Sequence, residues 1–196
     1  LLAAAKRPLV VLGGSGWTAE ACADIRHFAE ANHLPVACAF RFQDLFDNRH
    51  PHYVGDVGVG INPILAERVR TADVLLVVGA RMGEMTTSGY TLIDSPVPRQ
   101  KLVHVMTGPE ELGRVYQAEI PILAGMGRFA RAARAMAPVD ASAWKASVAE
   151  TRADYLAWTA RREIPGKVQM WDIVDWLDKH VPEDTIFTNG AGNYTT

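Results

Sequence analysis

Asp73-Val74-Leu75-Leu76-Val77-Val78-Gly79-Ala80-Arg81-Met82-Gly83 is the stretch on which the reading of this chain turns. Val74 to Val78 is an unbroken aliphatic run bounded by Asp73 and Gly79, too short for a helix of the usual length and without polar alternation. A strand with no polar face is one covered on both sides, the condition of strands inside a parallel sheet. Arg81 then stands just past the carboxyl end of that strand, where α/β sheets place their ligands.

Working upstream, residues 9–12 form a second short apolar strand that runs into Gly13-Gly14-Ser15-Gly16. A helix follows over residues 18–32, with Cys22, Ile25, Phe28 and Ala29 on one face and Thr18 as its N-cap. Residues 34–40 read as another buried strand, and residues 42–60 as a long irregular segment carrying His50, Pro51, His52 and three glycines. Residues 62–71 are helical, with Pro63 acceptable in the first turn. Downstream come strands at Lys101–Met106 and residues 119–124, then a helix over 128–136. Strands alternating with helices imply right-handed βαβ crossovers, so the expected fold is α/β with a doubly wound parallel sheet, closing near Ala137-Pro138.

Residues 140–163 differ in character: Trp144, Val148, Thr151, Tyr155, Trp158 and Arg162 fall on one helical stripe. That stripe either packs a connecting helix on its own domain or serves a subunit or domain interface. Pro165-Gly166 ends it, and a C-terminal helical extension follows over 169–181, with a strand expected at 185–188. The chain starts at Leu1 rather than Met and reaches Asn189-Gly190-Ala191-Gly192-Asn193 just before its last residue, so a fragment of a longer protein is expected.

The 196 residues are 48% hydrophobic and 21% charged with a net charge of -2, which excludes a disordered, collagen-like or disulfide-framework chain. That balance supplies no cationic face for nucleic acid. No apolar run approaches the roughly 18 residues of a membrane helix. Two cysteines, Cys22 and Cys38, suit a reduced cytoplasmic setting, and both read as core residues.

Gly14-Ser15-Gly16-Trp17-Thr18-Ala19 matches G-x-G-x-x-[GA] between strand and helix, where small residues let backbone N–H groups approach a pyrophosphate. The acid expected at the end of the second strand is replaced by Phe40-Arg41, and Arg41 either faces a 2′-phosphate or is a loop cation. Arg81 is either a nucleotide contact or a surface cation, and Gly55, Gly58 and Gly60 either admit a flat ligand or build a tight loop. The six histidines have no metal-site spacing beyond the His50–His52 pair, Ser15 lacks a nucleophile elbow, and no carboxylate pair suggests acid–base work. On residues alone an independent NAD(P)-binding oxidoreductase domain stays open as the alternative.

The pieces taken in order carry a resemblance. They are Arg7-Pro8-Leu9-Val10-Val11-Leu12-Gly13-Gly14-Ser15-Gly16, Leu34-Pro35-Val36, His52-Tyr53-Val54-Gly55-Asp56-Val57-Gly58, Ala72-Asp73 through Arg81-Met82, Leu102-Val103-His104-Val105 and Pro109-Glu110-Glu111-Leu112-Gly113. From about Pro8 to Ala137 the chain resembles the central domain of thiamine-diphosphate-dependent enzymes of the acetolactate synthase type. The stretch from Asp184 to Tyr194 is similar to the opening of that family's diphosphate-binding domain.

The resemblance implies a Rossmann-like domain of the DHS-like FAD/NAD-binding type over residues 1–138, a linker helix over 139–166 and the truncated start of a diphosphate-binding domain over 167–196. It implies a parent, a transferase or lyase, that uses thiamine diphosphate and Mg²⁺ to make or break carbon–carbon bonds beside a carbonyl. The parent's N- and C-terminal domains would be this segment's partners, in a homodimer or homotetramer. The N-terminal catalytic Glu and the Gly-Asp-Gly metal motif have no counterpart here, so the fragment alone is expected not to be catalytic. Gly14, Gly16, Gly58 and Arg81 match regions where some members hold FAD or ADP, and Gly192, Asn193 and Tyr194 match positions touching the cofactor diphosphate. Two departures fall in the nucleotide regions: Met106-Thr107-Gly108-Pro109 lacks an acid before Pro, and Gly125-Met126 replaces Gly-Asp.

Overall fold

A computed structural model describes residues 1–188 and Gly190. It divides into two compact units, one from Leu1 to Trp158 and one from Thr159 onward. In the first unit the strands are β1 (Pro8–Leu12), β2 (Val36–Ala39), β3 (Tyr53–Val57), β4 (Val74–Val78), β5 (Lys101–Met106) and β6 (Ile120–Leu123). Its α-helices are α1 (Ala19–Ala31), α2 (Pro63–Thr71), α3 (Met126–Arg134) and α4 (Lys145–Trp158). The sheet has the order β3-β2-β1-β4-β5-β6, and every neighbouring pair is parallel. The chain winds outward from β1 to β3, crosses back to place β4 beside β1, and winds outward again. The fold is a doubly wound α/β sheet, and its direction reverses between β1 and β4, where such sheets open a ligand crevice.

The period of two along each strand sorts the core into two layers. Val10, Leu12, Val74, Val78 and Val105 pack with Ile25, Phe28 and Ala130. Leu9, Val11, Leu75, Val77 and Leu102 pack on the other face with Leu65 and Val69. The aliphatic run of β4 thus feeds both cores at once, as its lack of polar alternation implies. Helix α1 starts where expected because the Thr18 hydroxyl accepts from the Ala21 N–H at 3.1 Å. The β4–β5 crossover is a run of turns rather than a helix, pinned by buried Leu92 and Ile93 and by the Gln100 amide, which donates to the Val69 and Arg70 carbonyls at the end of α2.

Two expectations need correction. The irregular segment 42–60 contains β3, hidden in the sequence because Gly55 and Asp56 break its apolar pattern. Gly55 sits at φ +116°, and a Cβ there would press at 3.3 Å on both Leu65 and the Tyr155 ring. The strand expected at 185–188 does not form: those residues are described, but they lie in no strand. A strand exists by pairing, and nothing among the described residues of the second unit pairs with it.

Helix α4 lies against β3 and α2. It covers the edge of the sheet, where unpaired backbone groups would otherwise face solvent. Arg152 donates to the Tyr53 carbonyl on β3 and to the Asn48 carbonyl, both at 2.9 Å. Tyr155 meets Tyr53 edge-on at 5.2 Å between ring centroids. The aromatic stripe therefore divides: Trp144, Val148 and Thr151 are buried in the first unit, while Trp158 is exposed. The Trp144 indole N–H caps the end of α1 by donating to the Asn32 and His33 carbonyls at 3.1 and 3.0 Å.

In the second unit, α5 (Met170–His180) is amphipathic, yet Ile173, Val174 and Trp176 are all exposed and none of its residues is buried. Arg161 pairs with Asp172 at 2.6 Å.

Candidate functional site

At the switch point the loops after β1 and β4 meet backbone to backbone. Gly14 (φ +71°) and Gly79 (φ +76°) are both left-handed, and the approach leaves no room for a side chain. A Cβ on Gly14 would fall on the Gly79 carbonyl oxygen, and one on Gly79 would fall on the Gly13 carbonyl oxygen and the Met126 sulfur. The glycine turn also spends its polar groups internally. The Trp17 indole N–H donates to the Gly13 carbonyl at 2.8 Å, and Thr18 occupies the Ala21 N–H, one of the first-turn donors a pyrophosphate would use. Gly16 is exposed, and Gly58 is buried with its Cα against Phe40. Arg41 is exposed and lies over the Phe40 ring at 5.2 Å. Gly192, Asn193 and Tyr194 lie outside the described residues.

Arg81 faces a different part of the same sheet edge. Beyond β4 and β5 it lines a cleft of about 270 Å³ together with Tyr90, His104, Glu111, Arg114 and Tyr116. Gly14, Gly16 and Gly58 do not line this cleft, so the structure brings Gly14 to Gly79 but separates the glycines from Arg81.

Four features give the cleft its chemistry. Glu111 has a side chain only 9% exposed, and its Oε1 forms an ion pair with the Arg81 guanidinium at 2.9 Å and accepts a hydrogen bond from Arg114 at 3.1 Å. His104, projecting from β5 into the apolar layer, donates through Nε2–H to the Ala80 carbonyl at 3.0 Å, because a carbonyl can only accept. Its Nδ1 is then a lone-pair acceptor, buried and without a protein partner, and the buried Tyr116 hydroxyl is also unpartnered. Burial holds His104 below the ordinary histidine range, against smaller opposing pulls from the Ala80 carbonyl and Glu111. Two orphaned buried polar atoms in one cleft carry a desolvation cost that a ligand hydroxyl or amide would relieve.

Tyr90 stands at the wall on a strained turn. Ser88, Gly89 and Tyr90 are consecutive left-handed residues at φ 51°, 67° and 63°, a conformation costly for the two that carry a Cβ. Buried Thr87 holds the turn, donating to the Gly83 carbonyl at 2.8 Å and accepting the Tyr90 N–H at 3.2 Å. Strain maintained by a dedicated anchor is commonest where a side chain must be presented to a ligand.

Elsewhere the candidates are engaged or inert. Burial pushes the Cys38 thiol up to about 12 and raises Cys22 as well, with Asp44 adding to it, so neither is a ready nucleophile. His50 pairs with Glu30 at 2.9 Å and accepts the His52 N–H at 3.1 Å. Among the described residues no group of three or more His, Cys, Asp or Glu could hold a metal ion. No described helix is long and apolar enough to cross a membrane.

Sequence reasoning named Arg81 but missed the rest of the cleft. The available signals were His104, the one polar break in an apolar strand, and the Glu111/Arg114 spacing that brings opposite charges together in a turn.

Residues 1–133 match the family model described as the central domain of thiamine pyrophosphate enzymes. The chain belongs to that family. The acetolactate synthase large subunit of Corynebacterium glutamicum is 27% identical over 206 residues, a span covering 99% of this chain and 31% of the relative. The acetolactate synthase isozyme 2 large subunit of Escherichia coli is 23% identical over 99% of this chain and 34% of its own length. The large subunit from Parasynechococcus marenigrum is 31% identical over 65% of this chain. The chain thus spans about a third of the length of the first two relatives. As a thiamine pyrophosphate enzyme central domain, it has its candidate site beyond the carboxyl ends of β4 and β5, one strand away from the point where the doubly wound sheet reverses direction.

Proposed function

We propose that this chain is the scaffolding central part of a thiamine-diphosphate-dependent carboligase or decarboxylase acting on 2-oxoacids, of the acetolactate synthase kind, and that it is not catalytic by itself. Residues 1–138 form the central domain, 139–166 link it onward, and 167–196 begin the diphosphate-binding domain, within a cytoplasmic homodimer or homotetramer. The observation that carries this reading is the family match over residues 1–133 in a chain that spans about a third of relatives named acetolactate synthase. The bare apolar side chains Ile173, Val174 and Trp176 of α5 support it, since a helix of that composition needs a core to join.

The fit of the described residues differs between Mg²⁺ and a nucleotide. The described residues offer no ligand cluster for Mg²⁺, so no step of thiamine chemistry is assigned to them. The cleft beside Arg81 does fit part of an adenine nucleotide such as ADP or FAD. At about 270 Å³ it lies just below the range of whole small-molecule sites, roughly 300–1,000 Å³, and takes a nucleoside-sized portion. His104 Nδ1 and the Tyr116 hydroxyl would bind that portion, Tyr90 would flank it, and Arg81 and Arg114 would meet the phosphates. FAD or ADP bound here would serve as a structural or regulatory ligand.

Two measurements test this reading. Incubation of the chain with pyruvate, thiamine diphosphate and Mg²⁺ should give no carbon dioxide or acetolactate above a buffer blank, and turnover would refute the non-catalytic reading. Calorimetric titration with FAD and ADP should give saturable binding. Heat indistinguishable from dilution would leave only the scaffold.

A further inference from the structure

The two cations that would hold a phosphate in this cleft are already held by a carboxylate of the chain itself. Arg81 and Arg114 are 70% and 63% exposed, reachable by a ligand, yet both converge on Oε1 of Glu111, whose own side chain is 9% exposed. Two guanidinium groups closing on one nearly buried oxygen is the geometry of an anion site with its anion supplied. The local backbone fixes this arrangement. Glu111 ends a short turn of 3₁₀-helix, Pro109–Glu111, immediately after β5, and Gly113 at φ +76° turns the chain so that Arg114 returns to the Glu111 carboxylate three residues back.

We infer that Glu111 is a built-in competitor for the phosphate of the nucleotide, and that it makes this cleft a site of exchangeable rather than permanent occupancy. The inference rests on the nucleotide reading above. A tethered carboxylate competes at the effective concentration of an intramolecular group, which outlasts dilution and does not wash out. A phosphate that displaces it exchanges one charge-assisted pair for another and leaves Glu111 nearly buried without its partners. The uncharged end of the cleft has no such competitor, because His104 Nδ1 and the Tyr116 hydroxyl are unpartnered. Affinity then resides in the nucleoside portion, and the phosphates add little.

The test is calorimetric titration of the full chain with ADP and, separately, with adenosine. The unaltered chain should hold the two within about threefold of each other, because the phosphates gain little over Glu111. Glu111→Gln keeps the shape and removes the charge. It should tighten ADP by about tenfold or more and move adenosine by no more than about twofold. Adding Arg81→Ala to Glu111→Gln should cancel the gain for ADP.

A preference of the unaltered chain for ADP over adenosine of about a hundredfold would overturn the inference, as would ADP binding that Glu111→Gln fails to tighten. Either result leaves the nucleotide reading standing. Absence of binding by both ligands to both proteins would overturn the nucleotide reading itself and the inference with it. Should Glu111→Gln fail to fold, the comparison of ADP with adenosine on the unaltered chain decides alone.

Discussion

Arg68 on α2 closes on Asp154 of α4 at 2.6 Å, with a second contact from Nε at 3.2 Å, tying the helix that covers the sheet edge to a helix of the core. The residues are far apart in sequence, and both side chains are about a third exposed, at 31% and 30%. Solvent screening at that exposure limits the pair to about 1 kcal/mol. Arg68→Ala and Asp154→Ala should each cost about that much in urea denaturation, and the double variant should cost less than their sum. Strict additivity would mean that the pair contributes nothing.

The meeting of Gly14 and Gly79 predicts a contrast between two alanine substitutions. Gly79→Ala must adopt a left-handed φ and also push its Cβ into the Gly13 carbonyl and Met126, so it should lose about 3 kcal/mol or more. Gly16→Ala has the same φ problem at +85° but open space, and should lose about 1 kcal/mol. Thermal melts of the two variants give the comparison, and equal losses would contradict the close approach.

Acidification below about pH 6.5 should weaken the first unit through two histidines, His104 and His52. Burial depresses His104 despite the Ala80 carbonyl and Glu111, and burial followed by the nearby His50 depresses His52. In the unfolded chain both take up protons below about 6.5, while in the folded chain they resist until lower pH. Their contribution is therefore intact above about pH 6.5 and is lost as pH falls from there through their folded values. Urea midpoints measured between about pH 7.5 and 5 should fall, and His52→Gln should flatten the slope. A flat or rising profile in the parent chain would refute this assignment.

Trp144 should be the most costly single aromatic on the α4 side. It is 2% exposed and fills the core beside α1 while its indole N–H caps two carbonyls. Trp144→Ala should cost about 3–5 kcal/mol. Trp144→Phe keeps most of the apolar contact but abandons the Asn32 and His33 carbonyls, and should cost about 1–2 kcal/mol. A Phe variant as stable as the parent would show that water replaces the indole.

What the sequence disclosed and what it withheld divide along physical lines. β4 and β1 were legible because burial on both faces leaves no polar residue in them, and α1 because Thr18 announces its start. β3 was not legible: its glycine makes room for the ring of Tyr155, which lies distant in the chain. The stripe from Trp144 to Thr151 was visible as a stripe, but only the fold says that it packs on α1 and the sheet rather than on another subunit. Arg81 was visible by its place after a strand, whereas its capture by Glu111 depends on a turn whose path no local pattern encodes. The orphaned atoms of His104 and Tyr116 are likewise properties of packing, since neither residue type is unusual in a strand or loop.

The two rims of the sheet have different fates. At β3 the rim is finished, because α4 lies along it and Arg152 takes a strand carbonyl that an incoming strand would need. At β6 no described strand follows, Ile120 and Leu123 are exposed, and Pro121 withholds one N–H from the ladder. An added strand therefore meets an occupied carbonyl at the β3 rim and, at β6, a ladder that lacks the outward N–H of Pro121.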